Sequence, residues 1–151
     1  MVSEAMRIEY RNPNSEDLAA VMALMPSLYS EIGEGLQSVL EEFIKDNHYF
    51  KLLATNKETG VDKGFMVGCC RLEVDFECRA GIIEEIVVSP DRRGLGIGKT
   101  MLEIFEAWSK ERGAKGILVP CGREGFYEKV GFEMFPVKRY WKDLQADKRT
   151  D

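Results

Sequence analysis

Glycine occupies every second position from 94 to 98, directly after an apolar, β-branched run and the break Ser89-Pro90-Asp91. The pattern is typical of a strand, a turn and a glycine-rich loop that opens a helix. Glycine has no Cβ, so the loop can bend tightly and a ligand can approach its backbone N–H groups. These groups are the unpaired donors of a helix N-terminus, where the helix dipole also favours negative charge. The stretch therefore predicts an anion-binding loop suited to a diphosphate.

The spacing of the glycines excludes two common nucleotide-binding loops. A Walker A loop ending in Gly98-Lys99-Thr100 would need glycine at position 93, which is arginine. A dinucleotide fingerprint GxGxxG would need glycine at position 99 or 101, which are Lys99 and Met101. An ordinary strand-to-helix turn needs only one glycine, and each further glycine inside a helix costs about 1 kcal/mol relative to alanine. A ligand-binding loop of another kind is therefore favoured.

Two adjacent carboxylates, Glu84 and Glu85, lie inside the apolar run that leads into this loop. Regular alternation along a strand predicts one face with Ile82, Glu84, Ile86 and Val88, and an opposite face with Ile83, Glu85, Val87 and Ser89. Both faces are otherwise apolar, so we expect a central strand packed on both sides. Burial raises the pKa of a carboxyl group towards neutrality, which suits a general base. Either glutamate can be that base or an arginine-paired structural residue, and the sequence leaves the choice open.

The string Val88-x-Pro90-x-x-Arg93-x-x-Gly96-x-Gly98 resembles the acetyl-CoA-binding motif of the GCN5-related N-acetyltransferase (GNAT) family. The apolar strand before it and the amphipathic helix after it make the match specific. The resemblance implies a loop that wraps the pyrophosphate and a strand that pairs with pantetheine. It implies acetyl-CoA as co-substrate, with no metal. The implied cofactor-binding residues are Ile86, Val87, Val88, Arg93, Gly94, Leu95, Gly96, Ile97, Gly98 and Lys99.

The stretch Gly125-Phe126-Tyr127-Glu128-Lys129-Val130-Gly131-Phe132 resembles the second signature of the family, a short helix with FYxxxGF. The resemblance implies that Tyr127 reaches the thioester sulfur and protonates the leaving thiolate; the alternative is a buried core tyrosine. Glu84 matches the strand carboxylate of similar polyamine-type acetyltransferases. The predicted catalytic residues are thus Tyr127, Glu84 and Glu85. One departure is the compact segment 120–124, which lacks the asparagine that many relatives carry after the fifth strand.

The resemblance and the order of the predicted elements imply an α/β (α+β) fold of the GNAT type. We expect one N-acetyltransferase domain over residues 1–151, with the acetyl-CoA motif at 82–112 and the second signature at 116–132. Its sheet should be mixed and mostly antiparallel, with six or seven strands and about four flanking helices. The strands at 82–89 and 116–119 should splay apart, and the cofactor should enter between them.

Composition limits the partners. The formal net charge of −5 lacks the basic footprint that nucleic acid or an anionic membrane requires, so neither is expected as a partner. No apolar run approaches the ~20 residues of a membrane span, and the polar start is not a signal peptide, so a cytoplasmic location is predicted. Four cysteines without a CxxC pair, and the single histidine His48, indicate reduced thiols and make a zinc site improbable.

The predicted reaction is direct transfer of acetyl from acetyl-CoA to a primary amine. Acidic residues on the presumed acceptor side favour a small cationic molecule as the amine; they are Glu31, Glu34, Glu73, Asp75, Glu77 and the strand pair. Two other functions stay open: acetylation of a lysine or N-terminus of a protein or peptide, and a non-catalytic acetyl-CoA-binding module. Homodimer formation is also left open.

Overall fold

The computed structural model describes residues 7–92, 95–119, 126–135 and 139–145. The chain divides into two compact units, Met1–Pro120 and Cys121–Asp151. The first unit contains the sheet and three of the α-helices: β1 (Ile8–Arg11), α1 (Leu18–Leu24), α2 (Leu36–Lys45), β2 (Phe50–Asn56), β3 (Asp62–Glu73), β4 (Cys78–Val88), α3 (Ile97–Glu111) and β5 (Gly116–Leu118). The second unit contains α4 (Phe126–Lys129). None of these described helices is long and apolar enough to cross a membrane.

The sheet has the order β1-β2-β3-β4-β5, with antiparallel pairing through β4 and a parallel β4–β5 pair. The predicted mixed, mostly antiparallel sheet is confirmed. The prediction of six or seven strands is too high for the described residues, which form five. The described residues between Phe132 and Leu144 form no strand.

Local sequence signals set where helix α1 begins and ends. The side chain of Asn14 accepts a hydrogen bond from the Glu16 N–H at 2.9 Å, and Asp17 accepts one from the Asn14 N–H at 2.8 Å, which together form a capping box ahead of α1. Pro26 ends the regular helix, and the chain tightens into a 3-10 turn at Met25–Ser27. Helices α1 and α2 cover one face of the sheet. Their shared buried core consists of Val21, Leu24, Met25, Leu40, Ile44, Leu53, Phe65, Val67 and Val87.

Helix α3 packs on the opposite face of the sheet, where three strand glycines lie under it. Its buried residues Ile97, Met101, Phe105 and Ser109 recur every fourth position and form one stripe. A Cβ at Gly68 would lie 2.6 Å from Cε1 of Phe105, and a Cβ at Gly81 would lie 2.4 Å from Oγ of Ser109. A Cβ at Gly64 would lie 3.1 Å from Cε of Met101 and 3.3 Å from Cγ2 of Ile97. Glycine at these positions therefore allows α3 to lie close to the strands.

Strand β4 contains a β-bulge that the sequence pattern did not predict. Val67 pairs with Glu85 and the next residue, Gly68, pairs with Ile83, so Glu84 has no partner in the ladder. The predicted alternation is wrong here, because the extra residue shifts it by one position. The register places Ile82, Glu85 and Val87 on the α1–α2 face, and Ile83, Ile86 and Val88 on the α3 face.

Candidate active site

The glycine-rich loop ends at the N-terminus of α3. Gly96 is the N-cap residue with a left-handed backbone, φ +80°. Apart from its chain neighbours and the nearby backbone of α3, no atom of the described residues lies within 4 Å of the position that its Cβ would take. Its carbonyl accepts the first helical hydrogen bond from the Thr100 N–H at 2.9 Å. Gly96 has no side chain, so the N-cap residue makes no capping hydrogen bond to the N–H groups of the first turn. A helix of fifteen residues therefore begins here with open donors and space for a ligand.

The predicted cofactor residues differ in what they can offer to a ligand. Leu95, Gly96 and Lys99 are exposed, and Gly98 is half-buried. Ile97 is 2% exposed and packs its side chain into the core, so only its backbone is available. Arg93 and Gly94 lie outside the described residues.

Part of the predicted strand edge is open. Parallel pairing between β4 and β5 covers Ala80–Gly116, Gly81–Ile117 and Ile82–Leu118, and ends there. Strand β4 continues to Val88, while β5 ends at Leu118. Within the described sheet, β5 therefore leaves the edge of β4 from Ile86 to Val88 uncovered, as the expected splay requires, and the Ile86 N–H donates to Oε1 of Glu85 at 3.2 Å.

The bulge brings both strand carboxylates to the α1–α2 side of β4. Glu85 lies on that face by register, and its Oε2 accepts a hydrogen bond from the Tyr29 hydroxyl. The Oε1 atom of Glu84 accepts one from Sγ of Cys69, which belongs to the same face, at 3.5 Å. Both glutamates are half-buried rather than enclosed, so the expected fully packed carboxylate pair is wrong. They lie at the border between the core and solvent.

The pKa values of two groups beside these carboxylates, the Tyr29 hydroxyl and the Cys69 thiol, are raised. The hydrogen bond to Glu85, together with burial, raises the pKa of the Tyr29 hydroxyl to about 12. Burial, and after it the charge of Glu84, raises the pKa of the Cys69 thiol to about 11. Both groups therefore stay protonated at neutral pH and serve as hydrogen-bond donors. The sequence analysis did not place Tyr29 or Cys69 in the site.

The other predicted acidic residues are not gathered at one place. Glu31 and Glu34 are exposed in the connection between the 3-10 turn and α2. Glu73 pairs with Arg71 at 2.9 Å, and Asp75 and Glu77 follow it in the β3–β4 connection. Glu77 lies seven residues before Glu84 along an extended chain, which corresponds to about 23 Å. The three acidic residues near the hairpin turn are therefore remote from the carboxylate pair.

Tyr127 lies in α4 of the second unit. Its ring contacts those of Phe126 and Phe132, with centroid distances of 5.2 and 5.7 Å, and it is half-buried. Gly131 has a left-handed φ of +98°, which the FYxxxGF pattern supplies without strain. The catalytic assignment of Tyr127 stays a prediction. No group of three or more potential metal ligands occurs among the residues that the structure describes.

A family model described as an acetyltransferase (GNAT) domain matches residues 47–134. Two curated proteins are similar in sequence, and both are named uncharacterized N-acetyltransferases. The protein from Chlorobaculum tepidum is 30% identical over 86 residues, which are 54% of this chain and 54% of the relative. The protein from Methanocaldococcus jannaschii is 32% identical over 107 residues, 62% of this chain and 47% of the relative. The chain thus spans about half the length of these curated relatives.

Solved structures share the fold at low sequence identity. The aminoglycoside 6'-N-acetyltransferase AAC(6')-Ih from Acinetobacter baumannii has a TM-score of 0.76 at 18% identity, covering 92% of this chain and 99% of its own. AAC(6')-Iy, in complex with a CoA-containing bisubstrate analogue, has a TM-score of 0.71 at 19% identity, covering 90% and 97%. A ribosomal-protein-alanine N-acetyltransferase from Brucella melitensis has a TM-score of 0.69 at 20% identity, covering 90% and 99%.

The glycine loop, the five-stranded sheet and the family match all indicate the same protein family. The chain belongs to the GNAT acetyltransferase family.

Proposed function

We propose that this protein transfers acetyl from acetyl-CoA to the primary amine of a small cationic molecule. The observation that carries the proposal is the β4 bulge, which brings Glu84 and Glu85 to one face of the strand that leads into the glycine loop. An amine acceptor arrives as an ammonium ion with a pKa near ~10.4 and must lose a proton before it can attack. Paired carboxylates can both attract that cation and accept its proton.

The described residues fit acetyl-CoA. The backbone N–H groups of Ile97, Gly98 and Lys99 form the uncapped start of α3, and the empty space beside Gly96 leaves room for a diphosphate. The edge of β4 that β5 does not cover offers backbone partners of the kind that pantetheine needs, although the Ile86 N–H there donates to Oε1 of Glu85. The bound thioester supplies the activated acetyl group. A solved GNAT structure with a CoA-containing analogue is consistent with this ligand.

The residues act in a simple order in this proposal. One of the two glutamates removes a proton from the ammonium group, and the amine lone pair then attacks the thioester carbonyl. The carbon–sulfur bond breaks as the tetrahedral centre collapses. The departing thiolate takes a proton, which we assign to the hydroxyl of Tyr127 on the strength of the family signature. The attacking nitrogen loses its second proton as the amide forms, and this proton replaces the one that Tyr127 gives up. No covalent enzyme intermediate is needed.

Charge favours a cationic acceptor. Glu84 and Glu85 carry two negative charges at the bulge, and Glu31 and Glu34 are exposed in the same connection that contains Tyr29. Several fold relatives are named for action on aminoglycosides, which are amines. Another fold relative is named for a ribosomal-protein alanine, so peptide acceptors belong in any test.

The test is release of thiol from acetyl-CoA in the presence of a panel of amines, aminoglycosides and peptides. Cadaverine and its carboxylate-terminated analogue form a matched pair, because they have a similar length and differ in the charge of the far end. We expect the diamine to have the lower KM and that KM to rise with salt, since screening weakens exposed charge interactions. A preference for the carboxylate analogue would contradict the cationic class. Binding of acetyl-CoA without turnover of any acceptor would favour the binding-module function.

The proton pathway has a separate test. Tyr127→Phe keeps the ring and removes one O–H, so acetyl-CoA affinity should be unchanged while kcat falls by about 10²-fold. Glu84→Gln should lower kcat and move the acid limb of the pH profile of kcat. Glu85→Gln makes the same chemical change at the adjacent carboxylate and is the matched comparison. Full turnover in all three variants would refute the pathway and leave the cofactor site intact.

A further inference from the structure

We infer that Tyr29 is a positioning residue that holds Glu85 as the anchor for the acceptor's ammonium group and leaves Glu84 to take its proton. This inference rests on the proposed function. It divides the work of two carboxylates that the sequence could not tell apart.

The two oxygens of Glu85 are both engaged. Its Oε2 accepts the Tyr29 hydroxyl, and its Oε1 accepts the backbone N–H of Ile86 at 3.2 Å. A carboxylate held at both oxygens has a fixed orientation, and each oxygen keeps a lone pair for a further donor. Glu85 can therefore bind an ammonium N–H in a defined direction.

Glu84 is held much less firmly. Its Oε1 accepts the weak Sγ donor of Cys69 at 3.5 Å, and its Oε2 accepts no hydrogen bond from the described residues. A proton acceptor needs an oxygen that is not already bound to a donor. Glu84 meets that condition, and its place outside the β3–β4 ladder lets it face the site without disturbing the strand pairing.

Tyr29 is well placed to hold its partner. It follows the 3-10 turn at Met25–Ser27, and its own N–H donates to the carbonyl of Met25 at 3.1 Å. Met25 is fully buried, so the backbone just before Tyr29 is anchored in the core. The segment beyond Tyr29 is exposed as far as Gly35. Tyr29 is therefore close to the anchored backbone at Met25. Its hydroxyl links the connection, which also contains Glu31 and Glu34, to Glu85 of β4.

This division of roles predicts different kinetic effects for the two glutamates. Tyr29→Phe keeps the ring and removes the donor, so Glu85 loses its orientation. The KM of a cationic amine should rise roughly tenfold, which is the lower end of the effect of losing a hydrogen bond to a charged group. We expect the lower end because Tyr29 is 41% exposed. The kcat should stay within about twofold. Glu85→Gln should act mainly on KM as well, whereas Glu84→Gln should act on kcat.

The experiment is a double-mutant cycle with Tyr29→Phe, Glu85→Gln and both changes together, assayed on the best amine. If Tyr29 acts through Glu85, the double variant should match Glu85→Gln alone. Tyr140→Phe is the control, because Tyr140 is 97% exposed and should change neither constant. Additive effects, or a loss of kcat with KM unchanged, would overturn the positioning role. A purely structural tyrosine would instead lower the unfolding midpoint and scale kcat with the folded fraction.

A second readout does not depend on activity. Ultraviolet titration of tyrosine ionisation should show a Tyr29 group with a pKa of about 12 in the wild type, beside Tyr10 and Tyr49, whose pKa values burial also raises. This group should return towards ordinary tyrosine behaviour in Glu85→Gln and be absent in Tyr29→Phe. An unchanged titration in Glu85→Gln would refute the contact itself, whatever the enzyme does. If the contact is confirmed but no amine is acetylated, the proposed function fails and the kinetic role of Tyr29 fails with it.

Discussion

Replacing Gly68 by alanine should test how closely α3 is packed on the sheet. The new methyl group would lie 2.6 and 2.8 Å from Cε1 and Cζ of Phe105, and 2.7 Å from the carbonyl oxygen of Ile82. The ring is fully buried and the carbonyl belongs to the backbone of β4, so neither can move away without disturbing the core. The helix must therefore shift.

The magnitude follows from two opposing effects. Overpacking a well-filled core costs about 1–3 kcal/mol. Alanine also reduces the entropy of the unfolded chain relative to glycine, which stabilises the protein by about 0.4–1 kcal/mol. The net loss in the free energy of unfolding should be about 1–2 kcal/mol, and the midpoint of thermal unfolding should fall by about 2–8 °C for a chain of this size.

Gly64→Ala is the matched control in this experiment. Its Cβ would lie 3.1 Å from Cε of Met101 and 3.2 Å from the Val87 carbonyl, and the methionine end is flexible. We expect a change of at most about 0.5 kcal/mol. Denaturant unfolding of both variants measures the difference. If Gly68→Ala is as stable as the wild type, or if Gly64→Ala loses as much, the account of α3 packing is wrong.

Three further predictions concern the loop, a helix end and a thiol. Gly96→Asp should abolish acetyl-CoA binding in calorimetry, because it adds a negative charge and a side chain at φ +80°, while the fold is retained. Lys51→Met should lower the free energy of unfolding by about 1–3 kcal/mol, since the buried Nζ donates to the carbonyls of Ile44 and Asp46 at 2.7 and 3.1 Å. Lys45→Met, at an exposed ion pair, is its control and should cost less than about 0.5 kcal/mol. Burial raises the Cys69 pKa from 9.0 to about 11, so its contribution to stability should be complete below pH 9 and be lost as the pH rises through 11. Cys69→Ala should remove that part of the pH dependence, and an unchanged profile would refute the assignment.

Much of the fold was predictable because the signals are local. Asn14 caps the first helical segment, Pro26 ends α1, and Gly113 has the left-handed φ of +85° expected after a helix end. Each signal depends on the backbone preference of one residue type and needs no tertiary information. The glycine loop belongs to the same class, and Gly96 has the backbone that its residue type suggested.

The carboxylate site was predictable in its residues and not in its geometry. A bulge leaves no mark in the residue types, because Glu84 and Glu85 look like any polar pair in an alternating strand. The contact between Tyr29 and Glu85 joins residues 56 positions apart, so no local spacing could reveal it. Both features depend on how α1, α2 and β4 meet in three dimensions.

The bulge also makes the chemistry of β4 separable from its folding. Deleting Glu84 would leave every pair of the β3–β4 ladder unchanged, from Gly64–Val88 to Glu73–Cys78, because Glu84 contributes to none of them. The residues on each face, and hence both cores, would be the same in the shortened chain. A carboxylate at such a position can be gained or lost by a single-codon insertion or deletion, without a change in the hydrophobic pattern of the strand.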